Sequence, residues 1–133
     1  MGAPVKITYA SLASPGEEVH QGYERALELV RGALGRVHPL LIGGKRRESP
    51  RTFPDTNPAD TRQVLGHFAL GGPQDVADAV AAARHAFAEW SRVPWRERVA
   101  LMRRAGDLLS EHAFELAALM GLEAGKTRVE ALG

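Results

Sequence analysis

The sequence predicts a mainly α-helical segment that carries a small β-hairpin. Three observations predict it. Apolar residues recur at helical spacing through residues 14–34, they do so again from residue 73 onwards, and between these stretches lie short apolar runs broken by Gly, Pro and Asn.

The first helix is expected to open at Ser14-Pro15-Gly16-Glu17. A Ser hydroxyl can accept from an early amide, Pro suits the first helical position, and Glu stands third, which is a capping-box pattern. Val19, Tyr23, Ala26, Leu27, Val30 and Leu34 then fall on one face, and Gly35 is placed to supply a left-handed cap.

From His38 to Leu70 the period changes. Leu40 to Ile42, Thr52 to Phe53 and Val64 to Leu70 are separated by Gly43-Gly44, Pro50, Pro54, Asn57-Pro58 and Gly66, and predict one small antiparallel hairpin.

Gly72-Pro73 opens a second helix whose stripe is Val76, Ala79, Val80, Ala83, Phe87 and Trp90. Its many alanines predict close packing on a neighbouring element. Pro94 breaks that pattern and starts a third helix with Val99, Met102, Ala105, Leu108 and Leu109 inward and Arg96, Arg98, Arg103 and Arg104 outward. Trp90 and Trp95 bracket the intervening turn and are read as core residues locking the two helices together. Ala113 to Glu123 forms a fourth helix ended by Gly125. The apolar pattern resumes with Val129, Ala131 and Leu132 and stops at Gly133 within a further helix, so the segment is expected to be the start of a longer polypeptide.

Composition excludes several classes of function. Of 133 residues, 44% are hydrophobic and 25% charged, the range of one soluble globular domain. Seventeen Lys and Arg against sixteen Asp and Glu leave a charge of +1, with no global attraction to nucleic acid or acidic membranes. No apolar stretch approaches the roughly 18 residues of a membrane span, and Met1 to Ala13 lacks a signal-peptide core, so a cytoplasmic location is expected. The absence of cysteine removes disulfides, thiolate metal sites and thiol nucleophiles together.

Four local signals carry a sharper and a plainer reading. Gly121-Leu122-Glu123-Ala124-Gly125-Lys126-Thr127 has the look of a phosphate-binding loop. It has three residues between its glycines instead of four and follows a helix instead of a strand, so it reads as a helix end. His20, His38, His67, His85 and His112 show no metal-ligand spacing, and His38 and His67 read as structural or solvent-facing. The run Lys45, Arg46, Arg47 and Arg51 is a solvated hairpin edge, since no aromatic stacking platform accompanies it. No Gly-x-Gly-x-x-Gly follows a predicted strand, so no residue is assigned a catalytic, cofactor-binding or metal-binding role in this chain.

Taken in order, Pro39-Leu40-Leu41-Ile42-Gly43-Gly44, Asn57-Pro58-Ala59, the alanine-rich helix ending at Phe87 to Trp90, Arg98 to Leu109, and Glu123-Ala124-Gly125-Lys126-Thr127 resemble the N-terminal third of aldehyde dehydrogenases. Each motif is weak alone. Five in sequence over residues 39–133 make a strong match. The helix at 14–34, and Glu-Ala-Gly-Lys-Thr where Gly-Lys-Pro is commoner, are more similar to the 1-pyrroline-5-carboxylate dehydrogenases, including the dehydrogenase module of bifunctional proline-utilisation proteins.

The resemblance implies an α/β, Rossmann-type parent whose central sheet is built by later sequence. Residues 1–38 would be an extension with one helix and residues 39–133 the beginning of the dehydrogenase domain. It also implies a cysteine nucleophile, a glutamate that activates water, and NAD as cofactor, all outside this chain, which is expected to be inactive and not to bind NAD by itself. The implied partners are the remainder of the dehydrogenase polypeptide and further copies in a homo-oligomer. Two other readings stand beside it: a helical protein-interaction module on a dehydrogenase-derived scaffold, and a dehydrogenase of the same superfamily for another aldehyde.

Overall fold

The computed structural model describes residues 15–133. Helix α1, Glu17–Arg31, is followed by strands β1 (Arg36–His38), β2 (Leu40–Ile42), β3 (Lys45–Arg47), β4 (Thr52–Asn57) and β5 (Asp60–Ala69). Helices α2 (Pro73–Trp90), α3 (Trp95–Glu111), α4 (Ala113–Ala124) and α5 (Arg128–Leu132) complete the chain. The predicted helices all form.

α1 begins two residues later than its capping-box signal indicates. Gly16 occupies the N-cap with no side-chain bond, while Glu17 and Glu18 place negative charge in the first turn, where exposed amides favour it. The expected cap Ser14 lies outside the described residues. Gly35 does adopt a left-handed φ of 76°, but it stands beyond the helical C-cap Gly32, and its amide bonds the carbonyl of Leu65.

Two sheets replace the single predicted hairpin. β2 and β3 pair antiparallel across Gly43-Gly44, with Ile42 opposite Lys45. Both glycines have positive φ, 56° and 75°, which a two-residue turn of this kind demands at both positions. β5 is the centre of the second sheet, antiparallel to β4 and parallel to β1. β1 and β3 escaped the hydrophobic pattern because they are held by main-chain pairing and expose all their side chains. Across the second sheet, register brings His38, Phe68 and Phe53 side by side, and their rings stack at 4.8 and 5.8 Å.

The described segment has one buried cluster. Tyr23 and Ala26 of α1 pack on Ala117 and Ala118 of α4 and Ala131 of α5, with Leu27, Val30, Phe114 and Leu132 around them. Small residues set the approach: a Cβ on Gly22 would lie 2.8 Å from the Phe114 ring, and one on Gly121 would lie 2.5 Å from the Tyr23 hydroxyl. The α1 face predicted from sequence is the buried face, Val19, Tyr23 and Ala26 included.

The α2 and α3 stripes behave differently. Neither helix buries a single residue. Val76, Phe87 and Met102 are 63%, 65% and 66% exposed, so the close packing expected of the alanine-rich stripe is not made within this chain. Trp90 and Trp95, expected in the core, are 40% and 59% exposed and lock nothing together. The amphipathic period was real; the surface that would complete it is not among the described residues.

α2 is fixed at its start by acid. The Asp75 carboxylate accepts from the Gly72 amide at 2.8 Å and from Arg47 Nη1 at 2.9 Å, and Asp78 accepts from the same Arg47 nitrogen at 2.6 Å. The basic edge of the β2–β3 hairpin is thereby tied to the α2 N-terminus. The Gly72 amide bond first, and Arg47 second, hold the Asp75 carboxyl below the usual carboxylate range. Arg47 likewise lowers Asp78.

Two outcomes follow for stability. Gly22→Val, which forces a branched side chain against Phe114, is expected to cost about 1–3 kcal/mol by overpacking, whereas Gly106→Ala, which meets nothing within 4 Å, is expected to gain about 1 kcal/mol of helix propensity; urea titration of both variants reads the difference. For Asp75, a depressed folded-state pKa means a contribution that is complete above the ordinary carboxylate pKa of about 3.9 and is lost as pH falls through the lower folded value. Asp75→Ala should therefore melt below the unsubstituted chain at pH 7, and the gap should close as pH drops below about 4; a gap independent of pH would refute the assignment.

Candidate functional site

The signals singled out in the sequence resolve into structural parts. In the loop-like run at 121–127, Gly125 is the left-handed cap of α4 with φ 65°, and Thr127 caps α5. Thr127 Oγ1 accepts from the Glu130 amide at 3.4 Å, and Glu130 Oε2 accepts in return from the Thr127 amide at 2.9 Å. The Thr127 hydroxyl, and then its amide, lower the Glu130 carboxyl below its usual range. Thr-x-x-Glu at 127–130 is a capping box legible in the sequence.

The histidines take separate places. His38 stacks on Phe68, His112 Nδ1 lies 3.2 Å from Glu115, and His20 Nδ1 lies 2.8 Å from Arg128. Because arginine only donates, His20 is the acceptor in that pair. Arg128 also bonds Glu24 and lies 4.6 Å over the Tyr23 ring. Among the described residues no three His, Asp or Glu side chains cluster as metal ligands would, and no helix is long and apolar enough to cross a membrane.

The surface features that stand out are apolar. A groove of about 610 Å³ opens between the end of α1, strand β5 and the pair α3–α4, walled by Val30, Leu34, Leu65, Leu108, Leu109 and Leu116. His112 and Glu115 are its polar members besides His38. Two of its walls, Leu109 and Leu108, are 61% and 43% exposed. Such an area of leucine is disfavoured against water and marks a surface meant for contact.

A second hollow, about 410 Å³, lies along α3 and is lined by Trp95, Arg98, Val99, Met102 and Arg103. Arg98 is not an outward residue, as the sequence pattern had it. It is half-buried, and its Nε is shielded from solvent without an acceptor. Three residues after Trp95 and four before Met102, it stands within the apolar stripe. Arg96, Arg103 and Arg104 are exposed as expected.

Residues 45–133 match the model of the aldehyde dehydrogenase family. The chain belongs to that family. The 1-pyrroline-5-carboxylate dehydrogenase of Staphylococcus saprophyticus is 32% identical over 113 residues, which are 85% of this chain and 22% of the relative. The 5-carboxymethyl-2-hydroxymuconate semialdehyde dehydrogenase of Escherichia coli is 42% identical over 84 residues, 63% of this chain and 18% of the relative. Among solved structures, the 1-pyrroline-5-carboxylate dehydrogenase from Thermus with bound NAD superposes on 99% of this chain and 25% of its own, with a TM-score of 0.88 and 30% identity. The chain thus spans about a fifth of the length of the curated relatives it matches.

Within this aldehyde dehydrogenase segment, the open leucine groove has a direct consequence in solution. The isolated chain is expected to bind a hydrophobic dye such as anilinonaphthalene sulfonate and to self-associate at micromolar concentration, with Leu108→Asp lowering the dye signal. A monomeric, sharply cooperative melt without dye binding would show that the groove closes on itself.

Proposed function

We propose that this chain is the N-terminal portion of an NAD-dependent aldehyde dehydrogenase of the 1-pyrroline-5-carboxylate branch, which oxidises L-glutamate 5-semialdehyde to glutamate. The observation that carries the proposal is a backbone that superposes almost entirely on a quarter of such an enzyme while α2 and α3 bury none of their residues. Helices with apolar stripes and nothing to pack on are parts of a larger core. In this reading residues 1–38 are an extension, fastened by α1 to α4, and residues 39–133 begin the dehydrogenase domain.

The chemistry belongs to the rest of the polypeptide. Aldehyde oxidation through a thiohemiacetal requires a thiolate, and this chain has no cysteine. The residues present do not suit the NAD diphosphate either. At the strand-to-helix connection, β5 to α2, the Gly72 amide is bonded by the Asp75 carboxylate, with Asp78 one turn on, so an anion there would meet two carboxylates. The catalytic thiol, the glutamate and the cofactor cradle are accordingly assigned outside residues 1–133, and no residue of this chain is given a catalytic, cofactor or metal role. In this reading the complete enzyme would act in the cytoplasm as a homo-oligomer.

A second reading within the family is favoured by the Escherichia coli relative, whose identity over the shorter span is higher: a dehydrogenase for a different semialdehyde. Joining this chain to the downstream three quarters of the Thermus dehydrogenase tests the proposal. The chimera is expected to reduce NAD with glutamate semialdehyde, which requires this segment to take the place of the quarter it matches. The isolated chain should give no saturable heat with NAD in calorimetry. An inactive, misfolded chimera would overturn the assignment of the segment, and saturable NAD heat would overturn the assignment of the cofactor cradle.

A further inference from the structure

We propose that Arg98 is an anchoring residue: the part of the dehydrogenase polypeptide that covers α3 presents a carboxylate to its guanidinium. The inference rests on the functional reading above and adds the chemistry of the covering surface. α3 has 17 residues and buries none, with Trp95, Met102 and Leu109 exposed by 59%, 66% and 61%. A helix of this length holds only marginally in water without packing, so its stripe requires a cover. The chain matches a quarter of the Thermus enzyme at TM-score 0.88, and the other three quarters supply one.

Within the stripe one residue is out of keeping with an apolar cover. Arg98 Nε already lacks both solvent and acceptor, and Arg98 lines the α3 hollow with Arg103 and no acidic residue. Arg96 stays over the Trp95 ring at 4.6 Å, and Arg104 reaches Glu111 at 3.7 Å, so each has a partner within the helix. Closing an apolar surface over Arg98 would strand its charge, and a stranded buried charge is far costlier than a paired one. A carboxylate matches the planar fork of guanidinium, satisfies two N–H groups at once and complements the two cations of the hollow.

The test uses the full 133-residue chain and the Thermus dehydrogenase lacking the quarter that this chain matches, with binding measured by calorimetry. The unsubstituted chain is expected to bind. Arg98→Gln should weaken the affinity by about tenfold or more and Arg98→Glu by a further tenfold, since reversal sets like charges together. Arg104→Gln should leave it within about twofold, as befits an exposed pair. Arg98→Lys, which keeps the stem and the charge but not the fork, should fall between the unsubstituted chain and Arg98→Gln, and it carries the test if circular dichroism shows helix loss in the other two. Binding unaffected by Arg98→Gln or by Arg98→Lys would overturn the inference while leaving the functional reading intact. Equal losses for Arg98→Gln and Arg98→Glu would replace the carboxylate by a neutral acceptor and overturn it likewise. No binding by the unsubstituted chain would overturn both.

Discussion

The seating of α1 on α4 depends on an interhelical approach that side chains of ordinary size would prevent. Gly22 faces the Phe114 ring, Gly121 faces the Tyr23 hydroxyl, and Ala26, Ala117 and Ala118 fill the space between. With so little side chain in the seam, dispersion contacts are made by backbone and ring edges, and almost any enlargement converts them to overlap. The only buried cluster among the described residues lies there, and it sets how α1, α4 and α5 sit against one another. It also joins residues nearly a hundred positions apart, and the fold is thereby closed by a long-range contact instead of by local helix pairs.

Periodicity made the helices legible, and the ends of α2 and α4 with them, because Gly72-Pro73 and Gly125 are chemical punctuation. The strands were less legible for a reason visible in β1 and β3. Arg36–His38 and Lys45–Arg47 expose every side chain, so neither alternation nor apolarity distinguishes them, and only the partners β5 and β2 define them. Parallel pairing of β1 with β5 is a tertiary fact that no window of sequence contains.

Burial was legible only where the chain buries its own surface. Val19, Tyr23 and Ala26 show the correspondence of stripe and core, while Val76, Phe87, Trp90 and Trp95 have the same pattern and face outward. A hydrophobic stripe states that a surface will be covered and is silent about which polypeptide covers it. The relatives are four to five times as long as this chain, and the proposed function assigns the cover of α2 and α3 to that further length. The same ambiguity misplaced Arg98, since an arginine in a helix is read as solvent-facing until its neighbours on the same face are seen to be Trp95, Val99 and Met102. For the candidate site the sequence offers only its lack of cysteine and of a glycine-rich turn, and the assignment of the chemistry to other sequence belongs to the proposed function.

The stretch that most resembles a phosphate loop forms the junction between α4 and α5. Gly125 turns the chain by taking a left-handed conformation, and Thr127 restarts it as α5 by exchanging bonds with Glu130. That restart brings Arg128 to Tyr23, His20 and Glu24. Arginine suits the position because its plane stacks on the phenol ring while its edges donate to two separate acceptors on α1, a combination that lysine cannot reproduce. α1 is consequently gripped on two sides, by apolar contact from α4 and by a directional cation from α5. The glycine-lysine-threonine run thus serves to aim the residue after it.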